Sequence, residues 1–164
     1  MRRWLAFLIA TLAALGGLSA PSAAAAEIPI GRLGEPLRVQ FEGLVADVTV
    51  NNIVPTPPPP GFGYPPRPPR HQVFRADVTI TPVALPTPYA MAITFEFRGV
   101  TPTGDAYEPR NSDAPDALQL GMQSAQVGQT FSGGVWWDCY RDLVSNVVLL
   151  DQLTGLRLAQ WNVT

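Results

Sequence analysis

Apolar and polar residues alternate with a period of two along most of this chain. In "QVFRADVTITPV" (Gln72 to Val83), Phe74, Ala76, Val78 and Ile80 form one apolar series, and Val73, Arg75, Asp77 and Thr79 form the other. "LRVQF" (Leu37 to Phe41), "NVVLL" (Asn146 to Leu150) and "LRLAQWNV" (Leu156 to Val163) alternate too, and "ADVTVNNIV" (Ala46 to Val54) places Val48 and Val50 on one face. "MAITFEFRGV" reads as a strand from Met91 to Val100, with Met91, Ile93, Phe95 and Phe97 inward. In "VWWDCY", Val135, Trp137 and Cys139 share the more apolar face, and Trp136, Asp138 and Tyr140 share the other. Successive side chains of a strand point to opposite faces, so such runs bury one side only. Many short runs of this kind, separated by Gly, Pro, Asn and Asp, predict an all-β antiparallel sandwich of about seven or eight strands. Helical periodicity is weak throughout. "SDAPDALQLGMQSAQ" (Ser112 to Gln126) has room for one short turn of helix, limited by Pro115 and Gly121.

The start of the chain follows a different pattern. "MRR" precedes the uncharged run Trp4 to Leu18, and "SAPSAAAAE" follows. A cationic start, an apolar run and an A-x-A site are the layout of a secretory signal peptide. The apolar run is shorter than the roughly 20 residues of a membrane span. Residues 1–26 are therefore expected to be removed after Ala26, and Ala24 or Ala25 would serve nearly as well. Arg2-Arg3 leaves the twin-arginine route open beside the general one. What remains, Glu27 to Thr164, has the length of one ordinary domain and no further candidate span.

"TPPPPGFGYPPRPPRH" (Thr56 to His71) interrupts the strands. Too little chain precedes it to build a separate core, so the Pro-rich loop (55–70) joins two strands of one fold. Proline fixes φ and donates no hydrogen bond, which predicts an extended, exposed segment. Pro65-x-x-Pro68-x-Arg70 matches a form bound by SH3-type domains, although Pro-rich sequence produces it by chance and export separates it from cytoplasmic partners. Phe62 and Tyr64 would be the anchors of any docking through this tract.

Charge narrows the partners. Without Arg2 and Arg3 the chain carries 9 arginines, no lysine and 13 carboxylates, a net −4. That balance disfavours nucleic acid and anionic membrane.

Catalytic chemistry is thinly supplied. His71 is the only histidine, beside the Pro tract, so a triad or a Cys-His dyad would have to use it. Cys139, the only cysteine, is expected to act as a small core hydrophobe, with an interchain disulfide or a reactive thiol as the alternatives. Asp105, Glu108, Asp113 and Asp116 sit in one acidic loop but lack the regular spacing of a calcium loop, and Arg110 lies among them. Gly133-Gly134 precedes a strand, so it reads as a bend or bulge and not as a phosphate cradle. No catalytic, metal or cofactor residues are assigned. Trp136 and Tyr140 on the outer face, with Phe62 and Tyr64, are the candidate binding residues, the other reading being that these aromatics pack beneath a neighbouring loop.

Several stretches carry a family resemblance. "IPIGRLGEPLRV" (Ile28 to Val39), "HQVFRADVTITPV" (His71 to Val83), "FEFRGVTPTGDAYEPR" (Phe95 to Arg110), "VGQTFSGGVWWD" (Val127 to Asp138) and the closing Trp161 resemble the mycobacterial secreted immunogenic proteins of the MPT/MPB sixty-three type. The resemblance implies an immunoglobulin-like β-sandwich exported by an actinobacterium, antigen-like, with no established catalytic residues. The Pro-rich insertion and Cys139 depart from that pattern. The expected function is a secreted, non-enzymatic binding module whose partner is a protein or a cell-envelope component. The alternatives are an envelope protein without a specific ligand and, third, an extracellular hydrolase using the acidic loop.

Overall fold

Residues 27–63 and 68–163 are described by the computed structural model. The proposed signal peptide and Tyr64 lie outside the described residues. In chain order the elements are β1 (Ile30–Arg32), β2 (Leu37–Phe41), β3 (Leu44–Thr56), β4 (Gln72–Ala84), α1 (Ala90–Thr94), β5 (Phe95–Val100), β6 (Ala106–Tyr107), α2 (Leu118–Gln123), β7 (Phe131–Cys139), β8 (Asn146–Asp151) and β9 (Arg157–Asn162). One sheet has the order β1-β9-β8-β5-β6 and the other β2-β3-β4-β7. All pairs are antiparallel except β1 with β9. The all-β sandwich read from the alternation is the architecture that forms. The count among the described residues is nine strands, above the seven or eight expected. β1 and β6, three and two residues long, are too short to show an alternation.

The inward series close on one another as the period requires. Val48 and Val50 of β3, Val78 and Ile80 of β4, Phe97 of β5, Leu149 of β8 and Trp161 of β9 are all buried in one cluster. Trp137 of β7 is fully buried in it, and its Nε1 donates to the Phe97 carbonyl at 3.0 Å, joining the two sheets. Trp161 Nε1 likewise donates to the Glu35 carbonyl at 3.0 Å. A buried indole needs such a partner, because an orphaned N–H in apolar surroundings costs about 1–3 kcal/mol.

The Pro-rich segment joins β3 to β4, which pair with each other along nearly their whole length. Pro55 is tolerated inside β3 because β2 pairs only with Leu44 to Val48, so its missing N–H faces no ladder.

One strand assignment fails. Met91 to Thr94 is helical: α1 starts after Tyr89, which holds the left-handed φ of 66°, and buries Ala90, Met91 and Ala92 in succession. A strand would have taken Ile93 inward; the helical turn leaves it 65% exposed. The short turn expected after Pro115 is α2, six residues long, with Leu118 and Met122 buried. Its four-residue spacing seats one narrow apolar stripe on the core.

Candidate functional site

Of the four candidate aromatics, the three among the described residues, Phe62, Trp136 and Tyr140, do not form one surface. Trp136 does point to the outer side of β7, as its parity requires, but it is only 3% exposed. Phe62 of the Pro-rich segment lies in a second buried cluster with it, together with Val73, Ala114 and Ala117. Trp136 and Phe62 are therefore corrected as exposed binding aromatics, and packing beneath a neighbouring loop, the other reading of Trp136, is the one it takes. Alternation fixes the side to which Trp136 points, and the loops folded over that side bury it.

The strap is pinned by its backbone. Asp113 N donates to the Pro60 carbonyl at 2.8 Å, and Gly63 N to the Asn111 carbonyl at 2.9 Å. Ser112 Oγ adds a bond to the Pro60 carbonyl at 3.2 Å. Gly61, with φ of 65°, turns the chain where a Cβ would strike Asp113. Pro57, Pro58 and Pro60 themselves remain exposed. At the far end of the strap, Arg70 N donates to the buried Asp138 carboxylate at 2.9 Å.

Arg75 locks the same region from β4. Its guanidinium lies 5.1 Å from the Trp136 ring centroid and pairs with Asp77 and Asp116, each at 2.7 Å. Gly133 and Gly134 fall within β7, and not at its start. A Cβ on Gly133 would meet the Leu118 backbone at 2.6 Å, and one on Gly134 would meet the Trp136 ring at 2.7 Å. The two glycines let α2 and that ring lie flat on the strand.

Tyr140 stands apart, 44% exposed just beyond β7. Arg70 and Arg141 sit over its ring at 4.9 and 5.7 Å, and Tyr107 meets it edge-on at 5.4 Å. His71 is exposed at the start of β4. Cys139 is buried, and burial together with the nearby Asp138 charge pushes its thiol up to about 12. That direction is opposite to the lowered pKa of a nucleophilic cysteine.

The acidic loop is dispersed among different arginines. Asp105 pairs with Arg141 at 2.9 Å, Glu108 with Arg98 at 3.6 Å, and Asp116 with Arg75. Among the described residues, no three His, Cys, Asp or Glu side chains converge as metal ligands.

What the structure does assemble is a cleft of about 730 Å³ at the open side of the sandwich. β6 pairs only with Gly99 and Val100, so Phe95 to Arg98 of β5 border a gap. The facing edge, β7, is covered by two single bridges, Arg110 to Trp136 and Ala117 to Gly134, and by α2. The cleft lies between these borders. Phe95, Leu118 and Met122 supply apolar lining. Glu96, Arg98, Glu108 and Arg110 supply charge. Arg98 Nε contacts Glu96 at 2.6 Å, whereas Arg110 takes part in none of the ion pairs among the described residues. Asn111, Gln119, Gln123 and Gln152 add carboxamides.

The sequence reading singled out the acidic loop that forms one wall of this cleft but missed the cleft itself. The overlooked signal is Gln119 and Gln123, four residues apart on a helix whose other stripe is Leu118 and Met122.

No protein-family model and no curated protein matches the chain. Among solved structures, it is similar to MPT63, a secreted protein from Mycobacterium tuberculosis. The TM-score is 0.64 at 19% identity, over 84% of this chain and 99% of that one. At that identity the likeness shows a shared fold.

Proposed function

We propose that this chain is exported, loses residues 1–26, and acts as one domain outside an actinobacterial cell as a non-catalytic binding module, with the cleft as its ligand seat. The cleft carries this reading. Its volume falls within the roughly 300–1,000 Å³ of ligand sites, and it combines apolar lining with a few polar groups on a rigid scaffold. The order and composition of residues 1–26 support export, and the solved neighbour is a secreted protein. A binding role without turnover is supported by the state of the reactive groups: a thiol held protonated, a lone exposed histidine, and carboxylates engaged with separate arginines.

The test is retention of the protein, purified from culture medium, on an insoluble cell-envelope fraction. A second sample carries Gln123→Trp, which fills the cleft from the exposed side of α2. Saturable retention by the native protein, lost in the variant at unchanged melting temperature, is the expected result. Saturable retention that the variant leaves intact places binding elsewhere. No saturable retention favours an envelope protein without a specific ligand.

A further inference from the structure

We infer that the cleft takes a neutral, hydroxyl-rich ligand of the short-oligosaccharide class; this rests on the cleft being the binding seat. The alternative occupant of a gap at a sheet edge is an extended peptide added as a strand, which depends on free backbone groups along that edge. Here groups on both borders are already engaged. On the β5 side, the Phe97 carbonyl already accepts the Trp137 indole N–H at 3.0 Å. On the β7 side, the Trp136 carbonyl accepts Arg110 N and Gly134 N donates to the Asp116 carbonyl, both at 2.8 Å. A peptide entering the cleft would find its main-chain ladder interrupted on both borders, so recognition falls to side chains.

Those side chains define the chemistry. Glu96 and Glu108 balance Arg98 and Arg110, so the lining offers no net charge to select an anion or a cation. Asn111, Gln119, Gln123 and Gln152 each present a donor and an acceptor on one planar group. A sugar hydroxyl is likewise both donor and acceptor, and a carboxamide or guanidinium beside a carboxylate satisfies it without a charge on the ligand. Leu120, exposed on α2, and the half-buried Pro109 give the C–H face of a sugar ring an apolar surface to lie on, above the buried Phe95, Leu118 and Met122. The wall bearing Asn111 and Ser112 is held in place by the strap through Pro60 and Gly63, so little ordering is left for the ligand to impose.

The experiment uses the protein purified from culture medium, titrated calorimetrically with maltotriose, mannotriose and arabinotriose, and separately with trigalacturonate and an uncharged hexapeptide. Saturable binding of at least one neutral trisaccharide is expected. It should weaken about five- to tenfold in Gln123→Ala and in Gln152→Ala, the loss of one hydrogen bond each, and vanish in Gln123→Trp. All three variants alter exposed positions and should melt with the native protein. Failure of every neutral trisaccharide to bind overturns the inference, as does binding that the three variants leave unchanged. Binding of trigalacturonate or the peptide in their place, abolished by Gln123→Trp, overturns the ligand class while the cleft stands as the seat. Envelope retention indifferent to Gln123→Trp overturns the seat itself.

Discussion

Two tryptophans adjacent on β7 are both buried, by different means. Trp137 faces inward and is enclosed by the opposite sheet, as the period of two dictates. Trp136 faces outward and is enclosed by Phe62 of the strap and by Ala114 and Ala117 of the loop before α2. The first burial is built from strand pairs that run the length of the sandwich. The second hangs on a few loop hydrogen bonds and on Arg75, which reaches both Asp77 and Asp116. Its Nε is buried without a partner, which marks this satellite cluster as less completely satisfied than the main core. The difference matters because the satellite holds the wall of the cleft that bears Asn111 and Ser112, while the main core supplies Phe95, Leu118 and Met122 beneath it. The main core supplies stability, and the satellite sets the shape of the binding surface.

The largest break in this comparison is Trp137→Ala. The change empties a fully buried site and orphans the Phe97 carbonyl, so it should cost about 3–5 kcal/mol. Urea unfolding followed by far-UV circular dichroism measures it. A loss below roughly 1 kcal/mol would mean that Trp137 does not join the two sheets.

Phe62→Ala cuts the satellite alone and should cost less, about 1–3 kcal/mol, since loops can relax into the space. Hydrogen exchange locates the effect. The amides of Gly63 and Asp113, bonded across strap and loop, should exchange faster, while those of β3 and β4 at Thr49 and Thr79 stay protected. A loss equal to that of Trp137→Ala, with exchange accelerated everywhere, would merge the two clusters into one cooperative unit.

How far the chain could be read in advance follows the same division. Phe74, Ala76, Val78 and Ile80 are buried as their alternation demands, and so are Val135, Trp137 and Cys139. Local period and sheet topology agree at these positions, so no knowledge of distant contacts is needed. The connection of β3 to β4 through the prolines was legible for a different reason, the shortness of the chain before the tract, which cannot build a core of its own. Trp136 was legible in direction, and a covering loop was one of its two readings, but the residues that cover it were not legible. Its cover comes from Phe62 and Ala114, far along the chain on either side, and no period relates them. Met91 to Thr94 misled because "MAIT" running into "FEF" satisfies a period of two and a helical turn equally well. The cleft was illegible because its borders come from β5, β7, α2 and the loop between β6 and α2, and only the pairing order brings them together.

Cys139 gives the finest probe, for it lies at the meeting of the two regions. Its strand pairs it with Gln72, where the strap returns, while its side chain belongs to the main core. The thiol is pushed up to about 12 in the folded protein, chiefly by burial, against about 8.5 in an unfolded chain. Between those values the folded state holds the proton that the unfolded state has lost. Unfolding is then favoured as pH rises, and stability should fall by up to about 1.4 kcal/mol per pH unit above roughly 8.5. Below that value the contribution is fully present and flat. Cys139→Ala should remove this slope, which urea midpoints between pH 8 and pH 10 would reveal. Alkylation with iodoacetamide sharpens the contrast at neutral pH. Labelling should be slow in the native protein, stay slow in Phe62→Ala, and accelerate in Trp137→Ala. Rapid labelling of Phe62→Ala would show that the strap guards the main core as well as its own cluster, because a thiol enclosed by the two sheets alone is indifferent to what folds over the outer side of β7.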